Sequence, residues 1–231
     1  MLRELARRIA GSDPNTRHSL LHPGNQLMVQ ERERAIAGLL AKWQKGTLED
    51  LKVFEAGCGG GYNLRMLVQW GCQPKNLFGV DIDSEQIDYS RSRSPEIAVH
   101  AVSAEHVSQP DAAFDMSIAF TLFSSVRDED LAAAIAAEMY RLTRPGGLIL
   151  VYDMRRANPY NSAIRPIGPD DIRRWFPKCP MRTRPITLVP PLARPVGKWA
   201  PWLYRPLAAI RPLRSHALYI IRRPSAGPRF D

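Results

Sequence analysis

A chain of 231 residues, 45% hydrophobic, with a mean hydropathy of -0.27, is long enough for one α/β domain with a full core and a small appendage. No run approaches eighteen uninterrupted apolar residues, the start MLRELARRIAG lacks a secretory core, and Cys58, Cys72 and Cys179 have neither metal-ligand nor disulfide spacing. These features predict a cytoplasmic protein with reduced thiols and no metal. Charge sums to +3 over residues 1–52, −7 over 53–153 and +13 over 154–231, so an acidic centre precedes a basic tail that suits acceptor recognition or a plain solvated surface.

In chain order, residues 2–10 have helical spacing with a basic face. A turn-rich stretch leads to a longer helix, 26–43, whose Leu27, Met28, Ala35, Ile36, Leu39 and Leu40 form one stripe. Residues 1–52 therefore read as an N-terminal helical cap on a main domain spanning 53–231. That domain opens on VFEAGCGGGYNL at 53–64, a strand running into a glycine turn and a helix start. Missing side chains let the backbone approach a ligand and adopt positive φ, while the amides opening the helix face an anionic or polar group. A dinucleotide fingerprint from Gly57 and Gly59 needs a third glycine where Tyr62 stands, and one from Gly59 and Gly61 needs it at Leu64.

The next strand, 76–80, ends at Asp81, placed to accept both hydroxyls of a ribose; Asp83 or Ser84 is left to cap the helix 84–91. A third strand, 97–102, leads into Ser103-Ala104-Glu105. The fourth, 114–120, is followed by TLFSSV and a helix over 128–142. Pro145-Gly146-Gly147 turn into a fifth strand, 148–152. Beyond Asp153 come a loop, a short helix from Pro169 to Phe176, and two strands at 182–189 and 215–222. The insertion 190–214 between those strands is basic, aromatic and rich in proline, which prevents one continuous helix. Alternating strands and helices predict an α/β, doubly wound sheet with ligands outside the strands' carboxyl ends.

The spacing E-x-G-x-G-x-G at Glu55, Gly57, Gly59 and Gly61 resembles class I S-adenosylmethionine-dependent methyltransferases. Asp81 one repeat later, Phe114-Asp115 and the RPGG before the fifth strand extend that resemblance over roughly residues 31–153. It implies a Rossmann-like, seven-stranded, mostly parallel sheet finished by an antiparallel C-terminal hairpin, with S-adenosyl-L-methionine as cofactor and Asp81 on its ribose. By the same motif positions, Cys58, Ile82, Ala104 and Phe120 join the three glycines and Glu55 around the cofactor. The family usually carries Asp after the third strand for the adenine amino group; Ser103 stands there, so Glu105 or backbone groups would substitute. The block EMYRLTRPGGLILVYDMRRANPYN, with LVPPLARP and SHALYIIRRP, looks closer still to methyltransferases encoded among bacterial surface-polysaccharide genes.

Methyl transfer from a sulfonium needs positioning and exclusion of water more than a nucleophilic side chain. An alcohol acceptor must still lose a proton, for which Asp153, Glu105 and His106 are candidates. Asp153 equally suits a pairing with Arg155 or Arg156, and His106 an ordinary surface. Asn158-Pro159-Tyr160 resembles the motif of base-amine methylating enzymes but lacks one proline and follows the fifth strand instead of the fourth. The expected function is O-methylation of a saccharide, soluble or lipid-linked, or of another small molecule. The alternatives are a quinone or lipid methyltransferase and an RNA methyltransferase or RNA-binding module using the basic tail. A dehydrogenase would need nicotinamide binding from a turn of the wrong spacing. Residues 190–214 read as a lid, a dimer contact, or a peripheral contact with the inner membrane surface.

Overall fold

The structure is a computed structural model describing residues 19–43, 46–157 and 164–225. The helix expected at 2–10 and the Asn158-Pro159-Tyr160 motif lie outside the described residues. In chain order the elements are α1 Pro23–Trp43, β1 Val53–Ala56, α2 Tyr62–Gln69, β2 Leu77–Asp81, α3 Ser84–Arg93 and β3 Ala98–Ala101. They continue with β4 Phe114–Phe120, α4 Glu129–Leu142, β5 Thr143–Met154, α5 Pro169–Trp175, β6 Met181–Leu188, α6 Pro190–Trp199, α7 Tyr204–Ala209 and β7 Arg214–Arg222. The seven strands form one sheet in the order β3-β2-β1-β4-β5-β7-β6.

Strands β1 to β5 are mutually parallel where they pair, and the order reverses between β1 and β4. At the far edge the direction changes. The Gly146 amide donates to the Arg223 carbonyl, the Arg223 amide to that of Gly147, and the Arg222 amide to that of Pro180. The end of β7 therefore meets the starts of β5 and β6, which makes it antiparallel to both. The doubly wound fold with its C-terminal hairpin is the expected one.

The division into compact units differs from a single cut at residue 52. One unit joins Met1–Lys45 to Pro185–Ala217, and the other holds Gly46–Arg184 and Leu218–Asp231. The insertion thus shares a unit with α1. There, α1 crosses α6 at Gly24 and Gly197: a Cβ on Gly24 would lie 2.4 Å from the Ala193 carbonyl oxygen, and one on Gly197 2.4 Å from the Gly24 Cα. The two glycines let the helix backbones touch. Leu188, Ala193, Tyr204 and Ala208 form the buried cluster of this unit, with Leu27 and Met28 of the predicted stripe packed on it.

The larger unit holds the sheet's main core. All four residues of β1, the charged Glu55 among them, are buried, as expected for a central parallel strand covered on both faces. Phe54 meets Phe78 and Phe114 with ring centroids 6.3 and 5.7 Å apart, filling the space near the strands' amino ends. One element is longer than predicted. β5 starts at Thr143 and carries RPGG within it, because pairing with β4 slips between Phe114 and Met116 and a bulge absorbs the extra residues. Gly147 fits there only as glycine, since a Cβ would sit 2.6 Å from the Asp115 carbonyl oxygen.

Candidate active site

Strand register brings the predicted residues to one edge of the sheet. Ala56 lies opposite Val80 and Ala119, Asp81 opposite Ala101, and Phe120 opposite Tyr152. The segments that follow these positions all leave the carboxyl edge around the point where strand order reverses, where such sheets bind ligands.

The glycine turn uses its alternation directly. Gly57, Gly59 and Gly61 have φ of 69°, 47° and 74°, the left-handed region that side-chain-bearing residues avoid. Their surroundings differ. A Cβ on Gly57 would lie 2.8 Å from a Leu122 methyl, and one on Gly61 would lie 2.3 Å from the Ser90 hydroxyl. At Gly59 the nearest atom is an Asp81 carboxylate oxygen 4.0 Å away, so the space above it is open. The turn is tied to β2 by the Cys58 amide, which donates to the Val80 carbonyl at 2.9 Å.

Asp81 closes the other side of that space. Its Oδ2 accepts from the Gly59 amide at 2.8 Å and its Oδ1 from the Asp83 amide at 3.0 Å. Asp83 caps α3, accepting from the Glu85 and Gln86 amides. Ile82 between them is 80% exposed, and Val102 after β3 is also exposed. The Ser103 hydroxyl donates to the Glu105 carboxylate at 3.1 Å, so the two groups proposed as alternatives after β3 form one cluster. Ala104 beside them is buried. Phe120 is buried against the edge of Tyr152, with centroids 5.9 Å apart.

Glu55 is fully enclosed, and its Oε1 accepts from the Asn63 side-chain amide at 2.6 Å, bracing the first turn of α2. Cys58 is buried too. Burial first, then the carboxylates of Glu55 and Asp81, pushes its thiol far above the ordinary range, so it remains protonated and unreactive.

Asp153 has no exposed surface. Its Oδ2 accepts from the Ser124 amide at 3.0 Å and its Oδ1 from the Met154 amide at 2.8 Å. Burial raises its pKa above the usual aspartate value, against hydrogen bonds from Ser124, Met154 and Phe123 that pull the other way. These backbone amides hold the carboxylate in place. His106 is exposed, with Nδ1 3.0 Å from the Glu105 carbonyl oxygen. Its charge also helps to keep the Glu138 carboxyl below the ordinary glutamate range, although the hydrogen bond from Arg141 is the largest cause.

Gly79 and the backbone strain at Thr121 escaped the sequence reading. Gly79 is required because a Cβ there would lie 2.8 Å from both the Cys58 sulfur and a Leu64 methyl; a lone glycine within a strand was the available signal. Thr121, at φ 56°, is a β-branched residue in the left-handed region just past β4, held by its amide donating to the Tyr152 carbonyl at 2.7 Å. Nothing in its sequence announces that strain.

The sequence profile described as a methyltransferase domain matches residues 53–147, from the first residue of β1 to the glycines of the β5 bulge. Residues 53–147 are a methyltransferase domain. It is of the class I kind, whose cofactor is S-adenosylmethionine. Among similar proteins, a malonyl-[acyl-carrier protein] O-methyltransferase of Serratia marcescens is 38% identical over 99 residues, covering 43% of this chain and 36% of its own. A ubiquinone biosynthesis O-methyltransferase of Rhizobium etli is 28% identical over 154 residues, covering 63% and 59%. The chain thus spans about a third to three fifths of the length of these curated relatives. The crystal structure of N-methyltransferase NodS from Bradyrhizobium japonicum, in complex with S-adenosyl-L-homocysteine, shares the fold. Its TM-score is 0.64 at 16% identity, over 96% of this chain and 98% of that one.

The residues at the methyltransferase domain's carboxyl edge fit that cofactor. An open approach over Gly59 sits beside a fixed, partly exposed carboxylate, and exposed apolar side chains flank both.

Proposed function

We infer that this chain transfers the methyl group of S-adenosylmethionine to an oxygen atom of a small-molecule acceptor. The observation that carries the donor half is the open space over Gly59, walled by Asp81 at 4.0 Å. When bound, the cofactor supplies a methyl group on a positively charged sulfur. The chain's share is positioning. With one amide on each oxygen, Asp81 keeps lone pairs for both ribose hydroxyls. Ile82 and Val102 offer apolar surface to a planar base, and Glu105, oriented by Ser103, offers the acceptor for an exocyclic amine. Glu55 acts through Asn63 by holding the first turn of α2, while Cys58, Ala104 and Phe120 pack behind the ligand surface.

The acceptor half rests on Asp153 and His106. With both oxygens taken by backbone amides and no exposed surface, Asp153 is assigned to anchoring the segment after β4. His106 is directed to its own loop and to Glu138. Neither assignment supplies a strong base, and this favours an acceptor oxygen that is itself acidic, a phenol or a carboxyl, over an aliphatic saccharide hydroxyl. The relatives' names, a ubiquinone biosynthesis O-methyltransferase and a malonyl-[acyl-carrier protein] O-methyltransferase, support the same reading. A saccharide acceptor, soluble or lipid-linked, is the second reading, supported by the resemblance of the 138–161 block to enzymes of surface-polysaccharide gene clusters.

The test is incubation with methyl-labelled donor and a panel of phenolic quinone precursors, carboxylic acids free and on acyl-carrier protein, nucleotide sugars, lipid-linked saccharides and RNA. Label is expected in a phenol ether or a carboxyl ester, the ester being released by mild alkali. Label in a sugar hydroxyl would move the assignment to the saccharide reading, and label in RNA would overturn both.

A further inference from the structure

The side chains of residues 190–214 divide into buried and exposed sets. Inward, Ala193, Tyr204 and Ala208 close the small unit's core with Val196, Leu207 and Leu213 packed against it. Outward, Trp199 and Trp202 are 77% and 73% exposed, and Leu192 and Ile210 are exposed as well. Two indoles so open to water are a costly surface unless something covers them. Lys198, Arg205 and Arg211 are exposed in the same stretch, with the Lys198 ammonium 4.9 Å from the centre of the Trp199 ring. No carboxylate lies between residues 190 and 214.

The chemistry of this surface selects one class of partner. A single-stranded nucleic acid would use stacking rings and cations, and one read by sequence would add neutral hydrogen-bonding side chains at its base edges. Residues 190–214 contain no Ser, Thr, Asn, Gln or His, and their one hydroxyl, on Tyr204, is buried and donates to Glu31 at 2.8 Å. Aliphatic side chains beside the indoles suit hydrocarbon, and indoles with basic residues suit the headgroup layer. The segment is short helices and turns punctuated by prolines, already ordered, so little conformational freedom is lost on docking. No helix among the described residues is long and apolar enough to cross a membrane, so the contact is a surface one.

We propose that residues 190–214 seat the protein on an anionic lipid surface, with Leu192, Trp199, Trp202 and Ile210 entering the headgroup region and Lys198, Arg205 and Arg211 facing lipid phosphates. This is independent of the acceptor and is tested without turnover. The full chain is sedimented with vesicles of phosphatidylcholine alone and of phosphatidylcholine with phosphatidylglycerol, at low and high ionic strength, while indole fluorescence is followed. Binding to the anionic vesicles with a blue shift is expected, weakening as salt rises. Lys198→Glu or Arg205→Glu should each reduce partitioning about fivefold or more. Trp199→Ser with Trp202→Ser should reduce it at least about tenfold while thermal melting stays unchanged, since both rings are exposed. Three results would overturn the proposal: no binding to anionic vesicles at low salt, undiminished binding by the tryptophan variant, or displacement by inorganic phosphate at matched ionic strength. Tighter binding to a single-stranded RNA oligonucleotide than to vesicles would assign the surface to nucleic acid.

Discussion

Gly59 and Gly61 look equivalent in sequence, and the structure separates them. Both have positive φ, but the Cβ of Gly61 would collide with Ser90 whereas that of Gly59 would point into open space. Gly61→Ala should therefore lower stability by about 2 kcal/mol or more, part of it from backbone strain and part from the collision. Pairing it with Ser90→Ala should recover part of that loss. Gly59→Ala carries only the backbone cost of about 1 kcal/mol, yet it should weaken donor binding, because its methyl group occupies the space assigned to the ligand. Calorimetric melting and donor titration of the three variants separate these effects. Equal melting and equal donor affinity at the two positions would remove the distinction. The alternation of glycines was legible in the sequence because the backbone itself demands it. Which glycine faces a ligand was not, since that depends on Ser90 and Leu122, distant in the chain.

At the scale of elements, β4 and β5 end in a joint that holds the segment between them and α4. Asp153 takes the Ser124 amide, the Thr121 amide reaches Tyr152, the Arg165 amide donates to the Ser124 carbonyl, and Phe123 stacks on Trp175 at 4.6 Å. Strand ends and helix lengths here could be read from periodicity. The joint could not, because its hydrogen bonds run from a buried carboxylate to backbone amides that carry no sequence mark. Asp153→Ala strands the Ser124 and Met154 amides among its partners and should lower stability by roughly 2–4 kcal/mol. Asp153→Asn keeps one acceptor and should cost less. The pH dependence has a definite sign. Burial raises the folded pKa, so the carboxyl's contribution is full below the ordinary aspartate range near ~4 and is lost as pH rises through the folded value. Melting temperatures of wild type and Asp153→Asn should therefore converge as pH rises from acid to neutral. Unchanged stability in both variants, with turnover slowed about a hundredfold, would return Asp153 to the role of general base.

For the whole molecule, local patterns already carried the sheet: five strands with helices after all but the third, a glycine turn after the first strand and a hairpin at the end. The grouping of α1 with residues 185–217 was hidden, because contacts such as Gly24 against Gly197 and Glu31 with Thr187 and Tyr204 join positions more than a hundred and fifty apart. Such pairings leave no periodic signal. Asp81 joins the most roles in one side chain, since its carboxylate fixes the turn, borders the ligand space and is assigned to the ribose. Titration calorimetry with S-adenosylmethionine, on wild type and on Asp81→Asn of verified melting behaviour, tests that assignment most directly. The account predicts measurable binding by wild type and a loss of about tenfold to a hundredfold in the variant. Equal affinity in the two proteins, or wild-type binding of a nicotinamide dinucleotide in place of the methyl donor, would contradict it.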